Sequence, residues 1–540
     1  MRKKKIVLTI VICLVMIVTA ACGSSGSGGD SDNGGNDGAP ASDATGDAGN
    51  SGDTGGPGDD GGAKVLRVGV TEDSSSFNPW AGAGGATAMY LVYESIVQRE
   101  GNGQVITWCA ESVDWIDNTT FVVKVRDDVT FSDGDKLTAE DVVYSIDRAM
   151  EATQTVPYDP KATTIADDGL TITYTMLEEY GPFKGQLDNF FIVNKSAVED
   201  WGDDDERWWD RPVSTGPYSV VENVSGSHVT LKAREDYWNK DAMPEWDEVI
   251  INLYSNPTAM FVAFENDEID LVAGIDANDA KRLQSGDIAN ADTTKFEVVP
   301  GNANYLLCLN PNKKEFQDIK VREAIANVIN RESVGEVAFG GLYQIDDSSV
   351  SPGSNYYTST GSYDKGVDYA KECMAASSYP DGFDMKVSGM SSDAKIWEVL
   401  QENLSQLGIN LTFETFDLPT YMPMMLEGGI TDAALMTSLG GNPTGDPYHE
   451  LSSFNPTNGP FSDIRLEDGE YKEIWDKGVF SNDEAQRAEY FAKIQQWLYD
   501  NIQAIPLVEP SYCFAYNSSK ISSCDFYSGS RITLYGCHAV

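Results

Sequence analysis

Residues 121–148 read FVVKVRDDVTFSDGDKLTAEDVVYSIDR, and no other stretch says more about the fold of this chain. Residues 121–126 carry an apolar side chain at every second position, which is typical of a strand. Residues 132–135 are rich in turn-forming types. Thr138 then stands three residues before Asp141 and predicts a capping box, with Asp in place of the usual Glu or Gln. The stretch therefore predicts a strand, a turn and a helix in that order.

The N-terminus has the pattern of a secretory signal. Residues 2–5 are basic, residues 6–18 are almost all apolar, and small residues lead up to Cys22. The apolar run is too short for a membrane span, which needs roughly 20 residues. We therefore expect a signal peptide over residues 1–21. The small residues before Cys22 resemble a bacterial lipobox and predict lipidation of that Cys, although Thr19 stands where Leu is usual. The alternative is a plain signal peptide whose removal releases the protein.

Residues 22–63 follow as a predicted linker. They are nearly all Gly, Ser, Asp, Asn, Ala and Thr, so they bury little apolar surface and should be disordered. A Gly-rich coil of about 40 residues has an r.m.s. span of roughly 35 Å. Such a tether suits a bacterium with a single membrane. We expect the protein at the extracellular face of the cell membrane, held by its lipid anchor.

The charge and the cysteines narrow the class of function. The formal net charge is −47, which makes nucleic acid an improbable partner because phosphate binding needs clustered Lys and Arg. The charge fits solubility outside the cell, or a preference for cationic ligands. The cysteines form no C-x-x-C pattern. Cys513, Cys524 and Cys537 lie close in sequence, so a disulfide among them is permitted in an exported protein, and most other cysteines are expected to be buried thiols.

The rest of the chain reads as an α/β protein. Apolar spacing predicts a helix over residues 86–97, and Asp318 is placed to cap another. Residues 396–407 predict an amphipathic helix that Gly408 stops, and residues 409–413 alternate as a strand directly afterwards. A helix, a glycine and a strand in succession are the wiring of an α/β fold.

Several motifs together resemble one family. They are the segment 121–148, STGPY at residues 214–218, FENDEIDLV at residues 264–272 and FQDIKVREAIANVINRE at residues 316–332. In this order they resemble the bacterial extracellular solute-binding proteins of family 5, the peptide and nickel type that feeds ATP-driven importers. The likeness runs from about Leu66 to about Asn517.

The resemblance implies a two-lobed, periplasmic-binding-protein-like α/β fold with an inserted domain and a hinge. Lobe I would comprise residues 64–99, 211–300 and 505–540. The inserted domain would be residues 100–210, and lobe II would be residues 301–504. Ligand would be enclosed as the lobes close. The expected partners are the permease and ATPase subunits of an ABC importer, and the protein is expected to be a monomer.

The resemblance also implies which residues contact a peptide ligand. In peptide-binding relatives, backbone groups of the loop after the first strand pair with the peptide as an added strand would. Here that loop contains Ser76, Phe77 and Asn78. Trp80 is expected to line a side-chain pocket, and the alternative is that it packs under the loop.

A second contact loop precedes Pro447 and includes Gly441, Asn442 and Asp446. In relatives, an Asp four residues before that Pro holds the α-ammonium group of the peptide. Pro443 occupies this position here, so Asn442 or Asp446 would have to substitute. The alternative is that Asp446 only shapes a turn. His449 is expected to be a surface group, and no metal or cofactor is predicted.

The known catalytic motifs are missing from the sequence. There is no G-x-S-x-G, H-E-x-x-H or G-x-x-x-x-G-K. We predict a substrate-binding lipoprotein of an ABC importer that captures a di- or oligopeptide and is not an enzyme. The alternatives are the same fold with a nickel complex or oligosaccharide, a secreted hydrolase with an unrecognised site, and a surface sensor without an importer.

Overall fold

A computed structural model of the protein describes residues 63–71, 76–80, 86–99, 104–153, 162–202, 210–437, 445–457, 461–466, 469–526 and 536–540. The predicted signal peptide, Cys22 with its predicted lipidation, and nearly all of the predicted linker lie outside these residues. Within these residues, no helix is long and apolar enough to cross a bilayer.

The strands are numbered along the chain. They are β1 (Val65–Val70), β2 (Val97–Arg99), β3 (Val105–Thr107), β4 (Ala110–Trp115), β5 (Thr120–Val125), β6 (Thr164–Ile165), β7 (Thr171–Thr175), β8 (Tyr218–Val224), β9 (His228–Ala233), β10 (Glu248–Leu253), β11 (Leu271–Ala273), β12 (Thr294–Pro300), β13 (Tyr305–Leu309), β14 (Tyr343–Ile345), β15 (Asp384–Met390), β16 (Asn410–Phe416), β17 (Ala433–Thr437), β18 (Ala504–Pro506), β19 (Val508–Asn517), β20 (Ile521–Ser523) and β21 (His538–Ala539).

The α-helices are numbered in the same way. They are α1 (Ala86–Val92), α2 (Ala139–Thr153), α3 (Phe183–Gln186), α4 (Lys195–Trp201), α5 (Pro257–Glu265), α6 (Ala277–Ser285), α7 (Lys314–Gln317), α8 (Ile319–Val328), α9 (Arg331–Phe339), α10 (Gly366–Ala375), α11 (Ala394–Ser405), α12 (Leu418–Leu426), α13 (Pro447–Leu451), α14 (Gly469–Val479) and α15 (Glu484–Asp500).

The largest sheet has the strand order β12-β19-β11-β1-β10-β9-β8, and β14 pairs with the first part of β19. β1 runs parallel to β10 and β11. Alternate residues of the central strands face opposite sides: Leu271 and Phe514 join one core cluster, whereas Val272 and Cys513 join another that includes Phe261 of α5. The sheet is therefore covered on both faces.

A second body is built around β13, which lies between β17 and β18 in an antiparallel sheet. Leu307 of β13 packs in a cluster with Trp397 of α11, and Cys308 packs in a cluster with Trp475 of α14. β15 and β16 pair in parallel nearby. The continuous apolar run of β13 follows from burial on both faces.

A third body contains the segment that opened the sequence analysis. Its sheet has the order β4-β5-β7-β6 and shares one core cluster with residues of α2. Gly134 has φ +94°, as a turn glycine can. The Thr138 N–H donates to Asp141 Oδ2 (2.9 Å) and the Asp141 N–H donates to Thr138 Oγ1 (3.4 Å), so the capping box is confirmed. The predicted strand, turn and helix are all present.

Two crossing segments connect the first and second bodies. Residues 301–304 lead from β12 to β13, and Leu507 leads from β18 to β19. The Leu507 N–H donates to the Tyr305 carbonyl (2.9 Å), which ties the two crossings together. Two sheets joined in this way give the predicted two-lobed α/β fold. The exact boundaries of the lobes and the inserted domain stay a prediction.

One helix is shorter than predicted. α1 ends at Val92, and Val97 lies in β2, so the prediction of a helix through Val97 was wrong. Glu94, just beyond the helix, is buried and accepts hydrogen bonds from Tyr237 Oη (2.5 Å) and Trp238 Nε1 (2.8 Å). These donors, which lie far away in sequence, hold Glu94 in a non-helical segment, and the helical spacing of apolar residues does not predict this.

The cysteines behave as expected. Cys524 and Cys537 form a disulfide that closes the C-terminal β20–β21 hairpin. The other described cysteines are free and buried; they are Cys109, Cys308, Cys373 and Cys513.

Candidate ligand-binding site

The loop after β1 leaves the carboxyl end of a parallel strand, where α/β folds commonly bind ligands. Ser76 is only 8% exposed, and its hydroxyl has no hydrogen-bond partner among the described residues. Phe77 is fully buried in a core cluster, and its carbonyl accepts a hydrogen bond from Tyr93 Oη (2.8 Å). Phe77 thus anchors the loop, and the Ser76 hydroxyl beside it is available to form a hydrogen bond with a ligand.

The same loop continues through Asn78 to Trp80. The Asn78 side chain accepts a hydrogen bond from the Trp80 N–H (2.9 Å), which closes a local turn. The half-buried Trp80 ring meets Tyr144 edge-on with centroids 6.2 Å apart, and the Arg148 guanidinium lies 4.7 Å from the Trp80 centroid. Trp80 therefore takes part in packing and in a cation–π contact. Its role in a ligand pocket stays a prediction.

The second predicted loop is described only at its two ends. Gly441 and Asn442 lie outside the described residues, as does Pro443. On the N-terminal side, the Thr437 hydroxyl is buried and has no partner among the residues that the structure describes. On the C-terminal side, Gly445 has φ +65°, and its carbonyl accepts a hydrogen bond from the Asn355 N–H (2.8 Å).

Asp446 is buried and engaged within the chain. Its Oδ1 accepts a hydrogen bond from the Tyr448 N–H (2.9 Å) and caps α13, in which Pro447 fills the first turn. Its Oδ2 pairs with the Arg487 guanidinium, which is only 2% exposed. The geometry fits the alternative reading, in which Asp446 shapes a turn. A role for Asp446 with a ligand amine stays a prediction.

Arg487 was missed by the sequence reasoning. It lies on α15 in register with the buried residues Phe491, Ile494 and Leu498. A charged residue on the apolar stripe of a helix was the available signal, because a buried Arg needs partners. Besides Asp446, its Nη1 donates to the carbonyls of Val479 (2.8 Å) and Ser481 (3.3 Å).

The prediction that His449 is a surface group was wrong. The side chain is half-buried, and desolvation lowers the pKa of its imidazole to about 4. It is therefore neutral at physiological pH. In the described part of the chain, no three His, Cys, Asp or Glu side chains lie close enough together to hold a metal ion.

A buried acidic network joins this region to the crossing segments. Glu509 Oε1 accepts hydrogen bonds from the Asn302 N–H (2.5 Å) and Ser351 Oγ (3.0 Å). The Ser351 N–H donates to Glu450 Oε2 on α13 (2.7 Å). Burial raises the pKa of Glu509 and, more strongly, that of Asp346. The network links the hinge to the helix that follows the second loop, and no sequence pattern predicted it.

The sequence is similar to known proteins of one family. Residues 104–463 match the family described as "Bacterial extracellular solute-binding proteins, family 5 Middle". The nickel-binding protein NikA of Staphylococcus aureus is 24% identical over 364 residues, covering 65% of this chain and 70% of that protein. A putative ABC transporter peptide-binding protein of Brucella ovis is 24% identical over 385 residues, covering 66% and 69% respectively.

Solved structures show the same fold. The ABC transporter substrate-binding protein CtaP of Listeria monocytogenes aligns with a TM-score of 0.74 at 23% identity, covering 88% of this chain and 99% of CtaP. The periplasmic binding protein DppA of Helicobacter pylori, in complex with the peptide STSA, aligns with a TM-score of 0.68 at 22% identity, covering 88% and 98%. Both are two-lobed binding proteins.

Proposed function

The chain belongs to family 5 of the bacterial extracellular solute-binding proteins, and on that basis we propose that it captures a di- or oligopeptide between its lobes for an ABC importer. Members of this family are substrate-binding proteins of the peptide or nickel type. Closure is favoured by ligand because only the closed arrangement contacts it from both sides. The protein would deliver its ligand chemically unchanged to the permease and its ATPase.

The buried Ser76 hydroxyl is the observation that carries the choice of a peptide. A buried hydroxyl without a partner is unfavourable by about 1–3 kcal/mol, and a ligand N–H or carbonyl at this point would offset that. The Thr437 hydroxyl offers a second neutral group at the edge of the other loop. Neutral hydrogen-bonding groups suit a peptide backbone, whereas a divalent metal prefers carboxylate, imidazole or thiolate ligands.

We also propose that lipidated Cys22 tethers the protein to the outer face of the membrane through the residue 22–63 linker. The support is the sequence pattern alone. Cys22→Ser is expected to move the protein from the membrane fraction into the culture medium. An unchanged distribution would favour a different anchor.

A thermal-shift screen of residues 63–540 tests the ligand class. The probes are alanine peptides of two to six residues, a nickel–histidine complex and maltotriose. A ligand at 100 times its Kd should add roughly 2.7 kcal/mol of stability. We expect a peptide to raise the melting temperature. A shift with the nickel complex or the sugar alone would reject the peptide assignment.

A further inference from the structure

The inserted domain contacts lobe II at a place remote in sequence from the crossing segments. The Asn482 side chain, two residues before α15, donates to the Asp117 carbonyl in the β4–β5 turn (3.0 Å). The rings of Tyr180 and Tyr448 meet edge-on with centroids 6.0 Å apart. Tyr448 also packs against the core clusters of both bodies, so the contact is continuous with two cores.

Gly181 lies at the centre of this contact. A Cβ added to Gly181 would stand 2.0 Å from Arg487 Nη1 and 2.0 Å from the Ser481 carbonyl oxygen. Real Cβ atoms do not approach other atoms this closely, so only a hydrogen fits. Arg487 has little freedom to withdraw, since Asp446 and two backbone carbonyls hold its guanidinium.

A second glycine allows a matching approach from lobe I. A Cβ on Gly445 would stand 2.6 Å from Nη1 of Arg99, at the end of β2. Gly445 and Asp446 directly follow the predicted ligand loop. Both close approaches reach lobe II near the end of this loop. The approach at Gly181 comes from the inserted domain, and the approach of Arg99 comes from lobe I.

We propose that Asp117, Tyr180, Gly181, Asn482 and Arg487 form an interlobe latch that engages when the lobes close. The inference rests on the proposed capture by closure and names how that closure is held. Rotation about the crossing segments separates the two sides of the latch, because one side belongs to the inserted domain and the other to lobe II. Arg487 also fixes Asp446, so the latch and the ligand loop share one support. Latch contacts and ligand contacts then stabilise the same closed state.

Chemical crosslinking measures how often the latch closes, even when closure is rare. Ile116→Cys and Ala485→Cys place one thiol on each side of the contact without removing a latch residue; Ile116 is 66% exposed, and Ala485 is exposed on the first turn of α15. A short bismaleimide joins them only while the lobes are shut. The four free native cysteines that the structure describes are buried, so they should not compete. The rate of crosslinking is measured without ligand and with alanine tetrapeptide.

Gly181→Ala tests the latch within this double-cysteine protein. We expect it to slow crosslinking at least tenfold in both conditions while leaving the thermal melt unchanged, because the added methyl meets only the opposite side. Gly469→Ala is the matched control, since a Cβ there meets no atom of the described residues within 4 Å. Equal rates for Gly181→Ala and Gly469→Ala would overturn the latch, as would a parent protein that never crosslinks.

The same data separate the latch from the proposed ligand. If tetrapeptide and the other peptides of the screen leave the parent rate unchanged while Gly181→Ala still slows it, the latch stands and the peptide assignment fails. If peptide accelerates crosslinking while the absolute rates are the same with and without Gly181→Ala, the ligand assignment stands and the latch fails.

Discussion

Replacing Arg234 should separate two of the motifs that define this chain. The Arg234 guanidinium is buried and donates from Nη1 to the carbonyls of Ser214 (3.2 Å), Thr215 (3.2 Å) and Gly216 (3.1 Å). Its Nη2 donates to the carbonyl of Phe131 (3.0 Å). One side chain therefore holds the STGPY motif against the strand–turn–helix segment. Arg234→Ala removes this donor from all four carbonyls. The Ser214 and Phe131 carbonyls keep the Ser132 N–H (2.8 Å) and the Gly134 N–H (3.1 Å), whereas the Thr215 and Gly216 carbonyls have no second donor among the described residues.

The expected magnitude follows from those carbonyls. A buried acceptor left without a donor is unfavourable by about 1–3 kcal/mol. Two carbonyls, those of Thr215 and Gly216, are left without a donor, and water entering the space left by the guanidinium will satisfy part of their need, so we expect a loss of about 2–4 kcal/mol rather than the full sum. Arg234→Lys keeps the charge but lacks the planar fork, and it should recover less than half of the loss.

Urea unfolding of residues 63–540, followed by far-UV circular dichroism and tryptophan fluorescence, measures this loss. Because the chain has several cores, the first transition is the one to compare. Lys493→Ala is the control: its side chain is 47% exposed and pairs with Glu489, which is 61% exposed, so its loss should be about 0–1 kcal/mol. A similar, small effect for Arg234→Ala would refute the reasoning.

Three further outcomes are expected. Burial raises the pKa of Asp393 from 3.8 to about 6, so its stabilising contribution is complete below about pH 4 and is lost as the pH rises through 6. The free energy of unfolding of Asp393→Asn, relative to that of the wild type, should thus rise by about 3 kcal/mol between pH 4 and pH 7, and a difference that stays constant with pH would contradict this. Replacing Cys524 and Cys537 with Ala should destabilise the C-terminal hairpin by about 3 kcal/mol, judged from the loop length, and an unchanged melt would argue against the disulfide. Ser76→Ala should weaken peptide binding about tenfold in calorimetry without lowering the melting temperature, whereas exposed Ser405→Ala should change neither; equal affinities would remove Ser76 from the site.

Local chemistry made the strand, turn and helix of residues 121–148 predictable. Alternation, turn formers and a capping box act over a few residues, and the structure shows each of them in place. The α11 helix and the β16 strand around Gly408 were predictable for the same reason, since Gly408 adopts φ +74° where the helix ends.

Long-range partners set the features that sequence reasoning missed. The end of α1 depends on Glu94, whose donors come from residues more than 140 positions away. The partial burial of His449 and the ion pair that holds Asp446 depend on packing between segments that lie far apart in sequence. Arg487 left a signal on the apolar face of α15, but its partner was not readable from the sequence. Such contacts follow from how elements pack together and are invisible to periodicity.

Small-angle X-ray scattering of residues 63–540, titrated with the peptide that gives the largest thermal shift, addresses capture between two lobes most directly. A two-lobed carrier that shuts on its ligand predicts a saturable fall in the radius of gyration, with a midpoint at the Kd found by calorimetry. A peptide that binds tightly while the radius of gyration stays constant would contradict capture by closure.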